Sequence, residues 1–512
     1  MRLPPDCQPR RSASASSPID RPSSRQGLAG WSRPGRQNGE MPQVEIRTGE
    51  SLHRRRVLKG RWWLPSDPTT KVGGTLEFAS GEGGQLELQG GLMTAGIHPL
   101  VQVIFGIADG EQVTVCDGLV TSQNTRGFPP TAQIDRESWS FSTVFVGIHA
   151  EEGRATQFDD FDLETTRLSG WVNQPRPSAT PGPDKVTIES EIPIPRHADI
   201  DEVGRLTFWW SYELKTSADI SLVIKPAIEF RPTERMTVDK AWRSFITPML
   251  FFITFASGSA DRIVSIRASR NRVEGQRPEV AEVLMPRWSE EMSGSDRNDV
   301  WQHLVQFAEL RDCLELVLSA WFRLVGQSSH SILDFFSVTM TPSMYAEESF
   351  LRVARSVESW HRSTIGGSYM GDEDFQRLLE KLTAVMDSRE RGFVKPRLRN
   401  ERTFRQRLDE LLEMCGEPVA DLLSGYREFP KRVVNTRNSL AHEGKLGDSF
   451  TYEELFWAQK SLEHVFRSVL LRNLGFTDEQ ILQQVGRTSE WRWLTDPQNR
   501  LTTWREYQTS TE

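Results

Sequence analysis

The apolar residues of this chain keep two different periods, and the change between them limits what it can fold into. In the first half they alternate over short stretches, as in Thr75-Leu76-Glu77-Phe78, Leu86-Glu87-Leu88 and Val101-Gln102-Val103-Ile104-Phe105. Thr143 to Ile148, Leu206 to Trp210 and Ile220 to Ile224 continue that texture, and turn glycines such as Gly81, Gly83 and Gly84 fall between the runs. Period two is the mark of strands with one buried face. From residue 347 onward the period lengthens. Phe350, Ala354, Val357 and His361 recur at helical spacing, as do Phe375, Leu378, Leu379, Leu382 and Met386. Phe404, Leu408, Leu411, Leu412 and Cys415 form a third stripe, and Leu455, Ala458, Leu462, Val465 and Val469 a fourth. Such stripes bury one face of each helix against its neighbours. The expected class is α+β multidomain, a β-rich N-terminal half followed by a C-terminal all-α helical bundle.

The boundaries follow from composition. Residues 1–41 are mostly Pro, Ser, Arg and Gly without periodicity, and such a segment cannot bury enough surface to offset its ordering entropy. It is expected to be a disordered tail, and Met41, which opens the first stretch of folding character, is an alternative start. Residues 42–235 form the β-rich region, punctuated by Pro175, Pro177, Pro181 and Pro183. Residues 236–345 are expected to be a mixed, mostly helical connection, with a helix from Thr237 to Ala256. The bundle spans 346–480, and 481–512 is a C-terminal extension. Cys7, Cys116, Cys313 and Cys415 lie too far apart for a zinc module or a disulfide framework. The longest apolar run, Ile246 to Ala256, falls short of a membrane span, and no apolar signal core opens the chain. A cytoplasmic protein with no membrane partner is the expectation. The net charge of −8 argues against wholesale coating of nucleic acid but permits a local basic site.

Phosphate-loop, zinc-protease, serine-hydrolase and calcium-loop signatures are missing from the sequence. Asp159, Asp160 and Asp162 read as an acidic surface turn, so no metal and no cofactor is expected. The paired tryptophans Trp62-Trp63 and Trp209-Trp210 read as core or sheet packing rather than as a stacking platform. One segment carries chemistry, Lys431 to Gly444 (KRVVNTRNSLAHEG). On a helix, Val433, Leu440 and Ala441 make an apolar stripe with Arg437 inside it, while Asn438 and His442 lie one turn apart on the adjacent face. Gly444 suits the position that ends the helix. A guanidinium in an apolar stripe needs a counter-charge or an anion. Two readings follow from the spacing. In one, His442 moves protons near neutral pH while Arg437 grips the scissile phosphate of RNA and Asn438 orients either partner. In the other, Arg437 pairs with a bundle carboxylate such as Glu358, and His442 only caps a helix C-terminus.

Arg437-Asn438-Ser439-Leu440-Ala441-His442 resembles the R-N-x-x-x-H signature of HEPN domains, here near the end of a helical bundle of the right size. Glu443-Gly444 and the upstream Val357-Glu358-Ser359-Trp360-His361-Arg362 strengthen the likeness and are similar to the ApeA-like HEPN family of anti-phage defence. That family's β-rich N-terminal domain opens with a pattern similar to Gly60-Arg61-Trp62-Trp63-Leu64-Pro65, then Val72-Gly73-Gly74-Thr75-Leu76 and Leu86-Glu87-Leu88. The similarities cover most of residues 57–475. The resemblance implies a metal-independent endoribonuclease that cuts RNA, tRNA among the substrates, through the 2′-OH and leaves a cyclic phosphate. It implies a homodimer or higher homo-oligomer with two motifs across one interface, Arg437 and His442 as the catalytic pair, Asn438 as auxiliary and Glu358 as support. A phage-derived trigger would act through the β-rich half, and cutting would halt infected cells by abortive infection. Between Arg389 and Arg407 eight basic residues face two acidic ones, a net of +6. Arg397, Arg399 and Arg402 there, with Lys431 and Arg432, are the expected RNA contacts. The competing readings are a catalytically silent HEPN module for dimerisation or RNA binding, and a HEPN toxin of a toxin–antitoxin pair.

Overall fold

The computed structural model describes residues 55–496 except 80, 95–99, 128–132, 174–177, 182–185, 192, 217–219, 274–276, 287–301, 342, 425–427 and 443–447. The N-terminal tail expected over residues 1–41 lies outside the described residues. So do the side chains of residues 213–223 and of His442.

The first six strands are β1 (Arg56–Leu64), β2 (Asp67–Ala79), β3 (Gly83–Leu88), β4 (Leu100–Ala108), β5 (Glu111–Arg126) and β6 (Gln133–Phe141). They pair antiparallel in the cyclic order β1-β2-β3-β6-β5-β4 and back to β1, which closes a six-stranded barrel. Closure removes the free edges that an open sheet would expose. Trp62, Leu76, Leu86, Ile104 and Trp139 are fully buried in its core. The glycines around Trp62 are a packing requirement. A Cβ on Gly106 would lie 2.3 Å from the Trp62 ring, and one on Gly74 would lie 2.5 Å from the Glu87 carbonyl oxygen. The Gly-Arg-Trp-Trp and Gly-Gly-Thr-Leu patterns therefore specify how closely two strands and an indole approach.

The sheet then leaves the barrel through β7 (Thr143–Val146), which pairs with β5. Next come the short β8 (Gln157–Phe158) and β9 (Asp160–Thr165), and α1 (Leu168–Val172). A small hairpin, β10 (Ser178–Pro181) and β11 (Val186–Glu189), stands apart, followed by β12 (Arg196–Ile200), β13 (Gly204–Thr216) and β14 (Ile220–Pro232). After β15 (Met236–Thr237) a helical stretch comprises α2 (Val238–Ala241), a π-helical turn over Trp242–Ile246 and α3 (Thr247–Ser257). Pro248 directly follows the π-helical turn of a helix that runs on from α2, so its missing N–H falls where the ladder is already widened. Two more strands, β16 (Ile263–Arg270) and β17 (Glu279–Leu284), complete the sheet in the order β12-β13-β14-β9-β16-β17-β7. The sheet thus runs past residue 235, the limit expected from composition. Its interior strand β16 lies between β9 and β17, so the residues after α3 are integral to the β half. The buried helix α3 interrupts the strand texture in sequence without ending the sheet in space.

The helical half comprises α4 (Leu314–Gln327), α5 (Ser329–Met340), α6 (Ala346–Thr364), α7 (Asp372–Ala384), α8 (Ser388–Val394), α9 (Phe404–Cys415), α10 (Glu417–Leu423), α11 (Phe429–His442), α12 (Tyr452–Asn473), α13 (Asp478–Gly486) and α14 (Ser489–Thr495). The long α12 is its axis, with Leu455, Ala458, Leu462, Val465, Phe466 and Val469 buried against α6, α9 and α10. One continuous core joins the two halves. Trp321 of α4 donates to the Pro248 carbonyl at 2.8 Å, Phe251 stacks on Phe336 of α5, and Phe335 packs on Phe466. The segment expected as a C-terminal extension also belongs to the fold up to residue 496. Ile481, Val485, Trp491 and Leu494 are buried, and Arg487 binds Glu309 at 2.7 Å.

Candidate active site

Helix α11 presents two unlike faces. Phe429, Val433 and Thr436 turn inward, and the Thr436 hydroxyl accepts from the Phe450 N–H at 2.8 Å, fixing α11 to the loop before α12. Arg432 lies on that same inner face. Its guanidinium reaches Glu454 at 2.6 Å, with both side chains under a tenth exposed, and it sits 4.3 Å from the Phe450 ring centroid. Arg437, one turn beyond Val433, borders that face toward α6 and α9, and Asn438 lies next to it on the outer side. Leu440 packs at the rim of the core, while Ala441 is exposed, so the stripe expected from Val433, Leu440 and Ala441 is buried only in part. Arg437 therefore stands at the border of the core.

Arg437 donates to Glu358 Oε2 of α6 at 2.9 Å, and to Asn438 Oδ1 at 3.2 Å. Its guanidinium carbon lies 5.8 Å from the centroid of Phe404 on α9. Glu358 is 15 % exposed and Arg437 37 %, so the pair is anchored on one side and open to solvent on the other. The pairing of Arg437 with Glu358 was one of the two readings of the spacing, and the contact leaves part of the guanidinium free for an anion. Glu358 also accepts from Arg362 at 3.3 Å, one turn along α6. His442 is the last residue of α11. Its backbone continues the same edge one turn beyond Asn438; its side chain and Gly444 lie outside the described residues.

Behind Glu358 lies a second polar layer. His361 is fully buried between two charged partners. Arg407 donates to its Nδ1 at 3.0 Å, so that nitrogen is the acceptor and Nε2–H donates to Glu410 at 2.8 Å. Burial pulls the His361 pKa below its ordinary value against the opposing pull of Glu410. Arg402 binds the same Glu410 carboxylate, and Arg407 also donates to the Arg402 carbonyl at 3.2 Å. The imidazole thus ties α6 to α9 directly beneath the Arg437–Glu358 pair. His361 stands in the α6 stripe at helical spacing, which was visible in sequence. Its partners Arg407 and Glu410 were not, because they come from another helix.

The expected RNA contacts divide. Arg397 and Arg399 are exposed, the former with its guanidinium 3.8 Å from the Phe393 ring centroid and the latter near Glu401 at 3.8 Å. Lys431 is held by Glu428 at 3.0 Å and Asp448 at 2.9 Å. Arg402 turns inward to Glu410, and Arg432 is buried on Glu454. Arg402 keeps about a third of its side chain in solvent beside Glu410, whereas opening the buried Arg432–Glu454 pair would strand a carboxylate, which takes Arg432 out of any surface track. In the β half, Trp62, Trp63 and Trp210 are buried, and Trp209 donates to Asp162 at 3.3 Å. Asp159 pairs with Arg235 at 2.6 Å and Asp160 with Arg272 at 2.8 Å, but the expected acidic surface turn is instead the start of β9, with Asp160 buried between neighbouring strands. Burial pushes the Asp162 carboxyl up to about 6. No helix among the described residues is long and apolar enough to cross a membrane.

Comparison with known families gives two matches. The family model described as ApeA N-terminal domain 1 matches residues 58–321, and that described as Apea-like HEPN matches residues 351–480. No curated protein and no solved structure matches. The first match alone spans more than half of the chain and takes in β16, β17 and the first part of α4, while the second takes in Glu358, His361, Arg437 and His442. The chain belongs to the ApeA-like HEPN family.

Proposed function

We propose that this protein is a metal-independent endoribonuclease and an effector of anti-phage defence. The observation that carries the reading is a half-exposed guanidinium, Arg437, fixed by Glu358 and Asn438 on the edge of a helix that ends in His442. In this account Arg437 binds a non-bridging oxygen of the scissile phosphate and stabilises the charge that grows there. His442 takes the proton of the ribose 2′-OH. The 2′-oxygen bonds to phosphorus, the bond to the 5′-oxygen breaks, and the leaving oxygen gains a proton from a second acid. The products are a 2′,3′-cyclic phosphate and a 5′-OH. Each chain carries one such histidine, so the second acid is the His442 of another copy, which makes a homodimer the working unit. Asn438 orients the guanidinium, and Glu358 is a positioning residue that acts through Arg437.

Arg397, Arg399 and Lys431 supply backbone contacts to RNA, tRNA among the substrates, which places the action in the cytoplasm. The β-rich half receives the phage-derived trigger. The shared core through α3, α5 and α12 offers the physical route by which a change there reaches the bundle. The test is expression in bacteria of wild type, Arg437→Ala and His442→Ala, challenged with a phage panel and followed by sequencing of RNA ends. Protection and new RNA ends with wild type alone support the reading. Equal protection by all three overturns it.

A further inference from the structure

Glu358 holds two guanidiniums, and a single scissile phosphate needs only one of them. Arg437 meets Oε2 of this carboxylate at 2.9 Å and Arg362 meets Oε1 at 3.3 Å, so the two arginines stand on either side of it. Glu358 and Arg362 are one turn apart on α6 and share a face. Arg362 nonetheless keeps 57 % of its side chain in solvent. Its contacts with Glu358 and, at 3.7 Å, with Glu401 are both made by Nη2. A guanidinium carries five N–H donors, so Nε and Nη1 are left for another acceptor.

Beyond Arg362 the contacts go on. Glu401 takes Arg362 on one oxygen and Arg399, at 3.8 Å, on the other. Arg437, Glu358, Arg362, Glu401 and Arg399 thus form one row of alternating charge, from α11 across α6 to the segment before α9. Arg407, Arg402 and Glu410 lie beneath it, joined through His361. In this network five arginines face three glutamates, a net of +2. One scissile phosphate on Arg437 answers one of those charges. The other remains on the exposed row, where the anion within reach is the next phosphate of the same strand. We infer that Arg362 is the centre of a second phosphate subsite, which holds the phosphodiester adjacent to the scissile one and leads the strand from Arg437 toward Arg399. Glu401 steadies Arg362 from its other side, so the subsite does not depend on Glu358, which acts on Arg437. The inference rests on the ribonuclease reading in naming the first phosphate scissile; two adjacent phosphate contacts can be measured without cleavage.

The experiment measures binding of a mixed-sequence, single-stranded 2′-O-methyl RNA oligomer by the full chain over a range of salt concentrations. The oligomer lacks the reacting hydroxyl and stays intact. Each phosphate contact adds about 0.7 to the slope of log affinity against log salt. Arg362→Ala should lower that slope by about 0.7, Arg437→Ala by the same amount, and the double variant by about 1.4. Arg362→Lys, which keeps the charge, should keep the slope, and thermal melting checks that these exposed substitutions leave the fold intact. An unchanged slope in Arg362→Ala overturns the inference and leaves Arg362 as a partner of Glu358 and Glu401 alone. A double variant that loses no more slope than either single variant overturns it as well, because both arginines then hold one phosphate. A wild type that does not bind the oligomer overturns it too. Failure of the ribonuclease reading alone shows separately, as the expected slopes without cleavage of unmodified RNA.

Discussion

Replacing Glu358 by glutamine keeps the shape of the side chain and removes the charge that holds Arg437. At 2.9 Å two unit charges attract by about 1.4 kcal/mol in water and about 6 kcal/mol at an effective dielectric constant near 20. Arg437 keeps over a third of its side chain in solvent, and desolvation of Glu358 offsets much of the remainder. The net positioning effect is then about 1.5 kcal/mol, in the range of a hydrogen bond between charged groups. If all of it is felt in the transition state, Glu358→Gln lowers kcat/KM for RNA cleavage about tenfold. Arg437→Ala, which removes the phosphate contact itself, lowers it by about a hundredfold or more. The assay is single-turnover cleavage of one RNA by wild type, each single variant and the double variant. Because Glu358 acts through Arg437, the double variant should be no slower than Arg437→Ala alone. A Glu358→Gln rate within about twofold of wild type, or fully multiplicative losses in the double variant, refutes the positioning role.

Three other outcomes test the surrounding structure. Arg432→Met should destabilise the fold by about 3 kcal/mol, seen as a lowered melting temperature, because Glu454 is left buried without its partner; an unchanged melt with weaker, less salt-sensitive RNA binding would make Arg432 a phosphate contact after all. His303 is fully buried with neither ring nitrogen hydrogen-bonded among the described residues, and burial together with Arg167 and Arg487 lowers its pKa to about 4. The unfolded chain takes up that proton below about 6.5 and the folded chain does not, so this contribution is complete above 6.5 and is lost as the pH falls toward 4, at most about 3 kcal/mol. Asp162 and Asp261, raised by burial to about 6, act in the opposite direction, so the check is the difference between wild type and His303→Leu in stability against pH; identical slopes would contradict it. Gly106→Ala should cost about 3 kcal/mol through the clash of its Cβ with Trp62, read by melting, and an unchanged melt would show that the barrel yields.

What the sequence made legible was local. The helical stripes of α6, α7, α9 and α12 were visible as periods, and Thr451 and Glu454 form the capping box that starts α12. The Arg437–Glu358 contact was within reach because a guanidinium near an apolar stripe demands a counter-charge and few carboxylates lie at the right height. Arg432 shows the limit. Nothing in its neighbours distinguishes it from Lys431, yet one faces Glu454 in the core and the other two surface carboxylates. The deciding partner is 22 residues away, and only tertiary packing brings it there. The same holds for the His361–Arg407–Glu410 layer and for β16, whose place between β9 and β17 depends on strands distant in sequence. Likewise α13 and α14 read as an extension because short helices give little periodicity, although Trp491 and Leu494 are buried.

The most direct test of the central claim is the chemistry of the RNA ends. Purified wild type, Arg437→Ala and His442→Ala are incubated with total bacterial RNA in excess chelator, and the new termini are identified. The account predicts 2′,3′-cyclic phosphate and 5′-OH ends with wild type and none with either variant. Ends bearing a 3′-OH, cleavage that requires an added divalent ion, or identical products from all three proteins would contradict it.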